Sequence, residues 1–208
     1  MFKVPGPVPA TVLATMTVFG LACVPAHAVP ATITFETAPA AYFTAPVVES
    51  GFTYAPASGS LYVSPNGVPG QDMEGDGSGG GGVLRLTSNA AQGTFQFVGL
   101  DFSTYNMAAG TPGTITVTGL LGGATVGSDR YTLAAVDTFP YTNWTTERAA
   151  TLSGQAVDAL LIALPGSATG DAFYGNIDNL RLDTTNVPEP VSFALLGAGL
   201  LGLAFLRR

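Results

Sequence analysis

The chain has one cysteine and one histidine, and a single lysine stands among its seven basic residues. All three of these, Cys23, His27 and Lys3, precede Val29. Beyond that point no histidine or cysteine supplies a nucleophile or a general base, which excludes Ser-His-Asp and Cys-His catalysis. The lack of lysine removes Schiff-base chemistry and the Ser-Lys dyad, and zinc sites built on His or Cys are excluded as well. No disulfide can form there, so packing, hydrogen bonds and a metal ion are the remaining sources of stability. Cations are scarce too: between residues 29 and 185 four arginines (Arg85, Arg130, Arg148, Arg181) stand against thirteen carboxylates, a net charge near −9. Nucleic acid is excluded as a partner, because phosphate contacts need clustered Lys and Arg. The same stretch has no apolar stripe at helical spacing.

The long apolar runs lie at the two ends. After Lys3, residues 8–24 are mostly apolar, through Leu13, Met16, Val18, Phe19 and Leu21. Ala26-His27-Ala28 then offers the small-x-small pattern that signal peptidase cuts, so residues 1–28 read as a signal peptide and the mature chain as starting at Val29. Cys23 after Leu21-Ala22 opens a lipoprotein alternative, although Gly20 stands where a lipobox prefers a large aliphatic residue. At the other end, Pro188-Glu189-Pro190 precedes sixteen uncharged residues and the pair Arg207-Arg208. The two prolines hold Glu189 extended, the form a protease needs. As a helix the apolar block would reach about 24 Å, a little short of the roughly 30 Å of hydrocarbon. The terminal arginines favour the cytoplasmic side, which puts the chain upstream outside the inner membrane. Ala194, Ala198 and Gly202 recur every four residues, a small-residue face that lets another helix approach.

This order of an extended Pro-Glu-Pro, a short apolar helix and a basic terminus resembles the PEP-CTERM sorting signal of Gram-negative bacteria. The resemblance implies an exosortase acting at Pro188, Glu189 and Pro190, with the helix and Arg207-Arg208 holding the substrate in the inner membrane until then. The expected organisation is a signal peptide (1–28), a folded domain (29–185) and a sorting segment with a transmembrane helix (187–208).

The middle reads as strands. Thr32 to Glu36 alternates polar and apolar residues; 51–54 and 60–63 follow as short strands, and 66–82 reads as a long loop rich in Gly, Asp and Pro. Residues 83–87 and 93–97 read as a hairpin, and 100–105 alternates again. Thr114-Ile115-Thr116-Val117-Thr118 is the clearest strand, β-branched at every position. Segments 125–133, 144–152, 157–164 and 175–182 complete an all-β sandwich or jelly roll. Ile33-x-Phe35-Glu36, Leu100-Asp101-Phe102, Ile115-x-Val117-x-Gly119, Val157-Asp158-x-Leu160 and Ile177-Asp178-Asn179-Leu180 together resemble the galactose-binding-like jelly rolls. That resemblance implies first and last strands running close together, with Glu36 and Asp178 as ligands of a structural Ca2+.

Three sites are legible. Glu36 and Asp178 are the candidate calcium ligands. Asp72, Glu74 and Asp76 imitate the start of a calcium loop, but Val83 stands where the bidentate glutamate belongs, so a solvated acidic loop is expected. Tyr141 and Trp144, with Tyr105 and Tyr174, can stack on a pyranose while offering a hydrogen bond, and are the candidate glycan-binding residues. Arg130 and Arg148 could add donors. A carboxylate pair of the glycosidase type is the catalytic arrangement left open, with no pattern to select the pair. Gly79–Gly82 is followed by neither lysine nor helix and is no phosphate loop. The sequence thus predicts an exported, non-catalytic protein of the cell surface or extracellular matrix, with glycan binding and carboxylate glycoside hydrolysis as alternatives.

Overall fold

A computed structural model describes residues 29–67, 70–76, 80–89, 93–106, 112–136, 143–166 and 173–184. The signal peptide and the sorting segment, with their expected helices, lie outside these residues. The described chain forms β1 (Val29–Ile33), β2 (Val47–Glu49), β3 (Phe52–Gly59), β4 (Leu61–Gly67), β5 (Gly70–Gly75) and β6 (Gly81–Ser88). It continues with β7 (Phe95–Asn106), β8 (Pro112–Leu121), β9 (Ala124–Ala134), β10 (Thr145–Arg148), β11 (Ala159–Pro165) and β12 (Phe173–Thr184). None of the described residues is helical.

The strands form two six-stranded sheets. Sheet A runs β10-β7-β12-β5-β4, with β1 also on β12; sheet B runs β2-β3-β6-β11-β8-β9. Alternation drives the layering. On β8, Ile115 and Val117 are fully buried while the three threonines around them are half-exposed. Met73, Phe102, Ile177 and Leu180 of sheet A meet Leu84, Leu86, Val117, Leu160 and Ile162 of sheet B in one core. Phe52 and Phe95 cross the two sheets edge to face, centroids 5.1 Å apart. Gly122 and Gly123 link β8 to β9 with φ of 59° and 82°, the pair of left-handed residues that a tight hairpin turn requires.

β12 is the axis of sheet A. One edge pairs with β7 over almost its whole length. The other edge takes β1 at one end, with Ile33 opposite Leu180, and β5 at the other, with Met73 opposite Ile177. The expected closeness of first and last strands is thus an antiparallel pairing, Val29 opposite Thr184.

Several segments differ from the sequence reading. Residues 66–82 are no simple loop, because they contain the end of β4 and all of β5. Residues 83–87 and 93–97 do not form a hairpin: β6 pairs with β3 and β11 in sheet B, while β7 pairs with β12 and β10 in sheet A. Their link crosses between the sheets, which local alternation does not encode. Residues 95–106 form one strand rather than two, and 144–152 shortens to β10 followed by a turn.

That turn is built on a buried carboxylate. Asp129 of β9 accepts the backbone N–H groups of Ala150 (3.0 Å), Thr151 (2.6 Å) and Leu152 (3.3 Å). Glu49 does the same after β1: it accepts Thr34 N–H at 2.7 Å, and the hydroxyls of Thr34, Thr37 and Tyr54 at 2.9, 3.1 and 3.2 Å. Burial, despite the bond that Thr37 makes with it, pushes the Tyr54 phenol up to about 12.

Candidate functional site on the outer face of sheet A

Because Met73 and Ile177 point into the core, their strand neighbours Asp72, Glu74, Asn176 and Asp178 point to the opposite face of sheet A. Register then lays out two rows. In the first, Tyr62 lies opposite Glu74, Glu74 opposite Asn176, and Asn176 opposite Ser103. In the second, Ser64 lies opposite Asp72, and Asp178 lies opposite Asp101, which lies opposite Thr146. Tyr174 pairs with Tyr105 at the end of these rows, rings 5.9 Å apart. Tyr62 stacks edge to face with the exposed Tyr42, 5.5 Å away.

The short side chains in the middle are buried, whereas Tyr62, Tyr105, Tyr174 and Trp144 are half-exposed. Asp72 and Asn176 are both fully buried, and apart from the Ser64 hydroxyl beside Asp72, no polar side-chain atom of either has a hydrogen-bond partner among the described residues. An amide or carboxylate left in that state is costly. Burial, and then repulsion from Glu74 and Asp178, push the Asp72 carboxyl up to about 9, which the Ser64 hydroxyl offsets in part. The Tyr174 phenol is raised as well, by burial first and then by the carboxylates of Glu74 and Asp76.

A second set of bonds positions one flank. The Asn143 amide donates to the carbonyls of Thr104 (3.0 Å) and Ala134 (2.9 Å) and accepts the Ser103 hydroxyl at 2.7 Å. This fixes the chain one residue before Trp144, whose indole N–H is buried without a partner among the described residues. Arg181 binds Asp101 at 2.9 Å, and Asn179 donates to the other Asp101 oxygen at 2.9 Å.

Of the aromatics expected to meet a glycan, Tyr105 and Tyr174 come together here, Trp144 stands two residues before Thr146, and Tyr141 lies outside the described residues. Arg130 is on β9 of sheet B, away from this face. Arg148 is exposed on β10. Glu36 is exposed and accepts the N–H of Gln71 at 2.7 Å, where β5 begins; Asp178 is buried and accepts the N–H of Asn179 at 2.6 Å. Among the described residues no three His, Cys, Asp or Glu side chains converge as a metal cluster. The acidic run Asp72-Glu74-Asp76 is not the solvated loop expected from sequence: all three are buried, at 0%, 5% and 9% exposure. Sequence reasoning also passed over Tyr62 and Asn176. The i, i+2 spacing of Asp72 and Glu74 around Met73 was the available signal, hidden by glycines on both sides.

Solved structures of similar shape include a DUF4465 family protein from Bacteroides caccae, with 14% identity, TM-score 0.44, and 74% of this chain and 98% of that one covered. A family 29 carbohydrate-binding module from Piromyces equi matches at 12% identity and TM-score 0.43, covering 76% and 91% of the two chains. A family 11 carbohydrate-binding module from Clostridium thermocellum, in complex with a mixed-linked tetrasaccharide, matches at 9% identity and TM-score 0.36, covering 74% and 94%. Among curated proteins no sequence relative matches. One family model does match, the PEP-CTERM protein-sorting motif, and it does so over the Pro-Glu-Pro, the apolar block and the closing arginines. The chain therefore carries a PEP-CTERM protein-sorting motif at residues 186–208, next to an all-β sandwich.

Proposed function

We propose that the protein is exported through a Sec-type signal cut after Ala28 and held in the inner membrane by its C-terminal helix until an exosortase processes it at Pro188-Glu189-Pro190. It is then displayed at the cell surface or in the extracellular matrix. There the sandwich acts without catalysis and binds a polysaccharide on the outer face of sheet A. The observation that carries the binding half is the juxtaposition of half-exposed Tyr62, Tyr105, Tyr174 and Trp144 with the buried polar row Glu74-Asn176-Ser103. Apolar ring faces beside fixed hydrogen-bonding groups are what a sugar's alternating CH and OH surfaces require.

Retardation in native gels containing soluble polysaccharides tests this reading. Tyr174→Ala and Trp144→Ala are each expected to weaken retardation roughly tenfold. Unchanged migration of both variants on a polysaccharide that retards the wild type would sink it. No reducing ends are expected when the protein is incubated with the retarding polymer. Their release, lost in Asp72→Asn, would instead favour a carboxylate glycosidase.

A further inference from the structure

We infer that Asp72 and Asn176 form a cation-binding site on the outer face of sheet A. Glu74 and Asp178 lie on the same face at neighbouring strand positions and add negative charge without converging on Asp72, and the guanidinium nearest in register, Arg181, is taken by Asp101. Asp72 and Asn176 are fully buried, and apart from the Ser64 hydroxyl beside Asp72, neither the carboxylate oxygens of Asp72 nor the amide atoms of Asn176 have a partner among the described residues. A hydrogen-bond donor or positive charge lodged between them would satisfy these atoms and cancel the repulsion among the carboxylates. Two sources fit the chemistry: an inorganic ion taking oxygen ligands from Asp72 and Asn176, or a protonated amine on a sugar, which carries donors for the same oxygens. Glu36, which follows β1, is instead engaged by the N–H of Gln71 at 2.7 Å at the start of β5. The site does not depend on whether the face binds neutral carbohydrate.

The test is titration calorimetry on the full chain with Ca2+, with a glucosamine hexamer and with its N-acetylated counterpart, in wild type, Asp72→Asn and Glu36→Gln. Binding of Ca2+ that weakens about tenfold or more in Asp72→Asn, but not in Glu36→Gln, supports the site with a metal as its cation. Binding of the glucosamine hexamer but not the acetylated one, lost in Asp72→Asn, supports it with an amine. Calcium binding lost in Glu36→Gln and kept in Asp72→Asn overturns it, as does the absence of any cation effect. Equal binding of both hexamers, indifferent to Asp72→Asn, overturns it while leaving the carbohydrate reading standing. Polylysine binding as tightly as the glucosamine hexamer would remove the sugar as the source of the amine.

Discussion

At the scale of single residues, the fold is set by where it places its carboxylates. In the unfolded chain Asp72 titrates near its ordinary 3.8, and in the fold without a bound cation near 9. The folded state therefore holds a proton that the unfolded state releases between those values, and stability is expected to fall as pH rises through that window. Below it both states are protonated and the penalty is absent; above it the loss is complete. Asp72→Asn should flatten this dependence and raise the melting temperature at neutral pH, and melts of both proteins across the window would reveal parallel curves if the idea is wrong. Asp129 supports the fold by satisfying three backbone N–H groups. Its replacement by Ala is expected to cost about 3 kcal/mol, or about 6–12 °C in melting temperature for a domain of this size. A change of under a degree would mean that water replaces it without loss.

Among the elements, the strands that alternation marks clearly are those with one apolar face, such as β8. β5 escapes because Met73 is its one large apolar side chain and its outward positions are carboxylates that a solvated loop would carry equally well. The short β10 shows how a single glycine can hold an edge. A Cβ on Gly99 would run into the carbonyl of Glu147 and lie 3.2 Å from the Cα of Arg148. Gly99→Ala should therefore loosen β10 from β7 and cost about 1–3 kcal/mol, read as a lower urea midpoint. The pairing of β1 with β12 also bears on the proposed calcium ligands. Should Glu36 and Asp178 hold an ion, a chelator will lower the melting temperature of the wild type and leave that of Glu36→Gln unmoved. Equal responses would place the ion elsewhere.

At the scale of the whole molecule, Val29 and Thr184 are register partners, so the first and last described residues of the sandwich lie at the same end of one strand pair. Intact mass of the protein recovered from its own cell envelope is expected to give a chain that starts at Val29 and lacks residues beyond the Pro-Glu-Pro. A mass that retains the last twenty residues in cells with an active exosortase would refute the processing. The sorting motif at residues 186–208, the all-β class and the exclusion of His, Cys and Lys chemistry beyond Ala28 were determined by the sequence alone, because each depends on residue types or on order within a short window. The outer face of sheet A was decided only by the tertiary structure. Asp72, Asn176 and Asp101 are separated by tens of residues, and they share a face because β12 pairs with β5 on one edge and β7 on the other, a register that long-range packing sets and local pattern does not.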